Sequence, residues 1–174
     1  MRASLRACVN RRPVFANPSA RAAIIEYLEE TRPEVPLLPA DPAVRARVRE
    51  VCCIVSNDIQ PVGNLRVLNR LAELDGGDAA AKGARKGEWA RHFIALGFRG
   101  LEALLARPGY AGTYCVGDAV SMADAFLVPQ VYNAVRWKVD MAAFPTIQRV
   151  YDALLALPEV QAAQPSAQPD AEKE

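Results

Sequence analysis

The run SMADAFLVPQVYNAVRW, residues 121–137, carries the clearest structural signal in this sequence of 174 residues. Ser121 can cap the free amides at the start of a helix, and Asp124 can accept a hydrogen bond from the Ser121 amide in return. The mostly apolar residues 125–137 that follow predict a buried helix, which Pro129 should kink. This capping box and its helix indicate an α-helical core.

Further helices are predicted on both sides of this run. Apolar spacing and capping residues predict helices over 20–31, from Asp41-Pro42 to Leu74, over 88–106 and from Pro145, with a last turn over 159–164. Pro61 should bend the long helix near 56–57, and a small mobile loop is predicted through 83–87. No alternating strand pattern occurs from Asp41 onward. The predicted fold class is all-α, a helical bundle.

The chain is predicted to have four parts. Residues 1–18 contain four arginines and no acidic residue, as transit peptides do, but their apolar periodicity is poor. A mistaken start or a frame change upstream of a helix fits them better, and we expect this segment to be disordered. Residues 19–40 form a short helix and a stiff linker, 41–165 form the helical domain, and 166–174 form a frayed polar tail.

Composition excludes several classes of function. The formal net charge of +1 gives no electrostatic reason to expect nucleic acid or an anionic membrane as a partner. No apolar run approaches the roughly 18 residues of a membrane span. The four cysteines (Cys8, Cys52, Cys53 and Cys115) lack the spacing of a zinc site and the density of a secreted disulfide scaffold, which favours a cytoplasmic protein. The only histidine is His92, so we expect neither a catalytic triad nor a metal site.

Cys52 and Cys53 are neighbours within the predicted long helix. Adjacent helical residues point about 100° apart, so one thiol should pack inward and the other should lie nearer the surface. Gly97 and Gly100 follow no strand, so close helix packing explains them better than phosphate binding.

Several segments resemble zeta-class glutathione transferases, the maleylacetoacetate isomerases. They are AIIEYLEETRP (23–33), DIQP and NL (58–61 and 64–65), YCVGDAVSMADAFLVPQVYNA (114–134) and QPD (168–170). The resemblance runs from about Ala22 to Asp170. It implies a glutathione transferase C-terminal-type bundle over 41–165, preceded in 19–40 by the remnant last helix of a thioredoxin-like domain. Members of that family form homodimers.

The resemblance also implies a reaction. In that family, glutathione thiolate adds to the cis double bond of maleylacetoacetate, the bond rotates, and elimination gives fumarylacetoacetate in tyrosine and phenylalanine catabolism. By similarity, Gln60, Asn64 and Leu65 lie near bound glutathione, and Arg136 suits a substrate carboxylate because a guanidinium offers paired donors. Two structural alternatives remain open. In the first, Arg136 caps the end of its own helix. In the second, Gln60 bonds to a backbone group that loses its helical partner at Pro61.

Departures from the family pattern limit this expectation. The serine-rich motif that activates the glutathione thiol has no counterpart, and Ala20 and Arg21 stand where the family usually has Gln-Ser. Gly63 and Gln164 replace a common glutamine and a common histidine. We therefore expect an isomerase that is weakly active or inactive alone. The alternatives are a non-enzymatic helical module that binds another protein through an exposed apolar surface, and a broken gene product without function.

Overall fold

The computed structural model describes residues 21–171, and the chain divides into two compact units between Pro36 and Leu37. In the first unit, helix α1 (Arg21–Thr31) confirms the short helix predicted from the apolar stripe. None of its side chains is buried, and Leu28 of the stripe is 44% exposed. The predicted disordered segment 1–18 lies outside the described residues.

The second unit is a helical bundle. Its helices are α2 (Pro42–Cys53), a π-helical segment (Ile54–Ile59), α3 (Gln60–Val62), α4 (Leu65–Asp75), α5 (Ala79–Leu105), α6 (Met122–Arg136), α7 (Pro145–Leu155) and α8 (Pro158–Ala162), with 3-10 turns at Met141–Ala143 and Pro165–Ala167. Helix α6 packs against α2, the π segment, α5 and α7. Its residues Phe126, Leu127 and Val131 are fully buried. Residues 21–171 contain no strand, and the all-α fold class is confirmed.

The predicted capping box is present at the start of α6. The Asp124 carboxylate accepts hydrogen bonds from the Ser121 amide at 2.8 Å and the Ser121 hydroxyl at 2.9 Å, and it also accepts one from the Cys115 amide at 2.9 Å. The helix begins at Met122, directly after its predicted N-cap Ser121. Pro129 lies inside the helix, as predicted.

The prediction of one continuous helix from Asp41 to Leu74 is wrong. Asp41 does cap α2, accepting from the amides of Ala43 and Val44 at 2.8 and 2.9 Å. At 56–57, where a bend was predicted, the structure has the π segment, at whose end the Gln60 amide donates to the carbonyl of Val55. The chain then breaks after Val62, because α4 has its own N-cap.

The mobile loop predicted through 83–87 is also wrong, because this segment lies within α5. Asp78 caps the helix by accepting from the Ala81 amide at 2.9 Å. Arg85 pairs with Asp75 at 2.8 Å, and Lys86 donates to Asn69 at 2.7 Å. These contacts hold the glycine-containing turn against α4 and offset its poor helix propensity.

The two glycines in the middle of α5 differ. A Cβ at Gly97 would lie 2.3 Å from Cγ1 of Ile59, so close packing against the π segment is confirmed there. A Cβ at Gly100 would have nothing within 4 Å, so the same explanation is wrong for that position. Of these two glycines, Gly97 alone is required by packing.

The segment predicted as a frayed tail is tied to the bundle as far as the structure describes it. The Gln168 side chain donates to the carbonyls of Ala162 and Gln164 at 2.9 and 3.0 Å. These bonds satisfy carbonyls at the end of α8, where helices lack internal donors. Residues 172–174 lie outside the described residues.

Candidate functional site

The break between α3 and α4 carries three of the predicted site residues. Gln60 is half-buried, Asn64 is exposed, and Leu65 is 64% exposed. Asn64 is the N-cap of α4: its Oδ1 accepts from the Arg66 amide at 3.1 Å. Within residues 21–171, the Gln60 carboxamide and the Asn64 amide nitrogen have no hydrogen-bond partner. At this break, two side-chain amide groups without hydrogen-bond partners in the described chain therefore lie beside the exposed side chain of Leu65.

Arg136, the predicted substrate residue, ends α6 and is exposed. Its guanidinium carbon lies 6.0 Å from the ring centroid of Trp137. The backbone closes the helix instead: the amides of Lys138 and Val139 donate to the carbonyls of Val135 and Ala134, both at 2.9 Å, with Lys138 at φ 60°. Neither structural alternative is observed, since Arg136 caps no carbonyl and Gln60 does not bond to freed backbone in the described chain.

The packing order brings these groups to one end of the bundle. Helix α5 runs antiparallel to α2 and the π segment, with Gly97 against Ile59 and the Tyr110 hydroxyl, just after α5, donating to the Arg47 carbonyl at 3.1 Å. Helix α6 starts beside the residues that lead into α2, since the Met122 amide donates to the Leu37 carbonyl at 2.9 Å, and it packs along both α2 and the π segment. Its last residue, Arg136, therefore lies toward the end at which the π segment leads into Gln60. No hydrogen bond joins the two side chains.

A cavity of about 690 Å³ adjoins the face of α6 that ends in Arg136. It is lined by Ala125, Val128, Pro129 and Tyr132 of α6, by Tyr151, Leu154 and Leu155 of α7, and by α8 with Gln164. Tyr132 is 54% exposed and lies four residues before Arg136, which places both on one helical face. Burial, with Asp152 and Tyr132 nearby, raises the pKa of Tyr151. This hydroxyl thus stays protonated and available as a donor.

Two lining residues were missed from the sequence. Tyr132 falls within the motif that carries the family resemblance, and its spacing of four from Arg136 was a usable signal. Tyr151 sits in the apolar stripe of α7, where an aromatic residue is indistinguishable from a core position by periodicity alone. Gln164, which stands where the family commonly has histidine, lines this same cavity.

Trp89 of α5 makes a hydrogen bond to the break between α3 and α4. Its indole Nε1 donates to the carbonyl of Val62, the last residue of α3, at 3.0 Å. The ring lies 4.6 Å from that of Phe93. The sequence placed Trp89 only on the apolar face of its helix, because a contact across 27 residues leaves no local pattern.

Other reactive groups in the described part are arranged as structural residues. Cys52 is buried and Cys53 is exposed, which confirms the predicted division between the two. Burial, followed by the nearby Asp124 charge, raises the pKa of the Cys115 thiol, so it stays protonated. Among residues 21–171, no group of three or more His, Cys, Asp or Glu side chains is placed to hold a metal ion. None of their helices has the length and apolarity to cross a bilayer.

Known proteins resemble this chain in sequence and in fold. No protein-family model matches it. It is 50% identical over 150 residues to maleylacetoacetate isomerase of Dictyostelium discoideum, covering 86% of this chain and 65% of that protein. It is 45% identical over 148 residues to maleylpyruvate isomerase of a Ralstonia species, covering 85% of this chain and 68% of that protein. The solved structure of maleylpyruvate isomerase, a bacterial zeta-class glutathione S-transferase, is 43% identical with a TM-score of 0.80, covering 87% of this chain and 69% of that one. The chain belongs to the maleylacetoacetate isomerases, the zeta class of glutathione transferases.

The predicted family is thereby confirmed. The maleylacetoacetate isomerase structure from Anaeromyxobacter dehalogenans 2CP-1, with dicarboxyethyl glutathione and citrate in its active site, is 46% identical with a TM-score of 0.79, covering 87% of this chain and 64% of that one. The chain spans 65%, 60% and 55% of the lengths of the first three curated relatives it matches. Membership of this enzyme family favours the isomerase interpretation over the interaction module.

Proposed function

We propose that this chain supplies the helical part of a glutathione-dependent isomerase that converts maleylacetoacetate to fumarylacetoacetate in tyrosine and phenylalanine catabolism. The observation that carries the proposal is the set of uncommitted polar groups at one end of the bundle: the Gln60 carboxamide, the Asn64 amide nitrogen and the Arg136 guanidinium. Gln60 is half-buried, where polar groups normally find partners within a fold, and Asn64 and Arg136 are exposed and can meet a ligand directly.

Glutathione fits the break between α3 and α4. It is a tripeptide with peptide groups and carboxylates, and carboxamide donors and acceptors such as those of Gln60 and Asn64 match these groups. Leu65, 64% exposed beside them, offers an apolar contact. When bound, glutathione supplies the thiolate whose addition to the cis double bond makes that bond single and free to rotate before elimination restores it.

Arg136 fits a substrate carboxylate. Its guanidinium lies at the helix end with no competing ion pair in residues 21–171, so its paired donors remain available for a bidentate contact. Maleylacetoacetate and maleylpyruvate isomerases are both relatives. Since a maleyl carboxylate is common to the two substrates, we assign Arg136 to that shared group.

The remaining family features are part of the same proposal. Helix α1, with no buried side chain, corresponds to the last helix of a thioredoxin-like domain, which with its linker occupies 19–40 ahead of the helical domain at 41–165 and the tail at 166–174. The protein is a cytoplasmic homodimer. Multi-angle light scattering of the purified chain should give twice the monomer mass of 18.9 kDa, and a monomer at all concentrations would contradict the dimer.

The binding site is tested by calorimetry with two probes, glutathione and dicarboxyethyl glutathione. The adduct adds two carboxylates to glutathione, so Arg136→Gln should weaken its binding about tenfold or more, as expected for a lost charged hydrogen bond, and should leave glutathione binding unchanged. Arg70→Gln, which removes an exposed arginine paired with Glu73 on α4, is the matched control and should change neither. Absence of saturable binding of both probes to the unmodified chain would reject the proposal.

A further inference from the structure

An orphan carbonyl lies at the centre of the break. In a continuous helix the Val62 carbonyl would accept from the Arg66 amide, four residues later. Here that amide donates to Oδ1 of Asn64 at 3.1 Å. The Val62 carbonyl therefore needs a donor from outside its own helix, as carbonyls at helix ends generally do. The indole Nε1 of Trp89 provides it at 3.0 Å.

Trp89 is itself firmly placed. Its ring is half-buried and packs 4.6 Å from Phe93 on the next turn of α5. Two side-chain contacts just before it, from Arg85 to Asp75 and from Lys86 to Asn69, fix α5 against α4. A donor carried by this scaffold holds the Val62 carbonyl at a defined position.

A second contact from α5 fixes the other side of Gln60. Gly97 approaches Ile59 so closely that a Cβ there would lie 2.3 Å from the Ile59 side chain, and Ile59 is 1% exposed. Gln60 thus lies between two anchored residues, Ile59 before it and Val62 after it. These two anchors hold the backbone of Gln60 and the start of the turn that leads to Asn64.

We propose that Trp89 is a positioning residue for the glutathione-binding break, an inference that rests on the proposed function. Trp89 acts through the Val62 carbonyl and does not contact the ligand. Its indole donor sets the geometry in which the Gln60 carboxamide and the Asn64 amide nitrogen meet glutathione together. The effect is confined to the glutathione side of the site, because Arg136 is carried by a different helix.

The first test needs no ligand. Trp89→Phe keeps an aromatic ring against Phe93 and removes only the donor. Amide hydrogen exchange at Val67 and Leu68, which donate to the Asn64 carbonyl at 2.9 and 3.1 Å, should become about tenfold faster, since losing one net hydrogen bond costs roughly that factor. Arg70→Gln, which removes the exposed ion pair with Glu73 on α4, is the control and should leave these rates unchanged. Equal rates in Trp89→Phe and the unmodified chain would overturn the proposal.

The second test uses ligands. Trp89→Phe should weaken the binding of glutathione and of dicarboxyethyl glutathione by the same factor, about fivefold, and Arg70→Gln should weaken neither. Arg136→Gln should weaken the adduct alone. Unchanged affinity in Trp89→Phe would refute the positioning role, whereas failure of the unmodified chain to bind either probe would reject the proposed function and leave the exchange rates to decide whether Trp89 holds the break.

A third measurement covers the case in which Trp89→Phe does not fold. In the unmodified chain, the indole N–H of Trp89 should exchange more slowly than that of Trp137, which has no hydrogen-bond acceptor within residues 21–171. Equal exchange of the two indoles would show that the bond to Val62 is not maintained in solution, and this would overturn the inference.

Discussion

The two ends of α6 use polar residues in opposite ways. At the start, Asp124 is 1% exposed and its carboxylate accepts three hydrogen bonds, two from Ser121 and one from Cys115. At the other end, Arg136 is exposed and its guanidinium makes no hydrogen bond within residues 21–171. The Ser121–Asp124 capping box therefore stabilises the fold, while Arg136, which we propose to bind a substrate carboxylate, is left unpaired in the described chain.

The largest expected effect is at the paired end. Asp124→Ala leaves two amides and a hydroxyl without their buried acceptor, so it should lower the free energy of unfolding by about 4 kcal/mol. Asp124→Asn keeps one acceptor oxygen and should lose about half as much. Urea denaturation measures both. A loss below about 1 kcal/mol for Asp124→Ala would show that the carboxylate is not the structural centre assigned to it.

A smaller effect separates the two glycines of α5. Gly97→Ala forces Ile59 to move and should destabilise the protein by about 2 kcal/mol through overpacking. Gly100→Ala meets nothing within 4 Å and should stabilise it by about 0.5–1 kcal/mol through helix propensity. Thermal unfolding of the two variants is a matched comparison. Equal shifts of the two melting temperatures in the same direction would contradict the claim that α5 packs closely against the π segment at Gly97.

The smallest effect on stability is expected at Asn64, one of the unpaired groups that we propose to bind glutathione. Asn64→Asp keeps the oxygen that caps α4 but removes the amide donors, so the free energy of unfolding should change by less than about 0.5 kcal/mol. Glutathione affinity should nevertheless fall several-fold, because a carboxylate replaces the donors. Calorimetry and urea denaturation on the same samples separate the two. A variant that loses stability and binds normally would reverse the assignment of Asn64.

Local polar pairing was predictable because its partners lie close in sequence. The Ser121 and Asp124 box and the Asp41 cap depend on residues within one turn, and the inward and outward positions of Cys52 and Cys53 depend only on helical geometry. All of these are present in the structure.

Errors arose where distant contacts override local pattern. The glycines of 83–87 predicted a loop, but Arg85 and Lys86 bind α4 and keep the segment helical. Apolar residues continue at helical spacing across the break after Val62, so the pattern predicted one helix. Asn64, which precedes an apolar helical run, was nevertheless a usable N-cap signal. The roles of Gln60, Leu65 and Arg136 were indicated by family resemblance and remain predictions.

The central claim is that Gln60, Asn64 and Arg136 are unpaired because they serve one ligand. Titration of isotope-labelled chain with dicarboxyethyl glutathione, followed through the side-chain nitrogen resonances of these three residues, tests it most directly. We predict that all three shift together and saturate with one dissociation constant, while the backbone amide resonances of Ser121 and Asp124 stay unchanged. Saturable shifts elsewhere in the bundle, with these three resonances unmoved, would contradict the account.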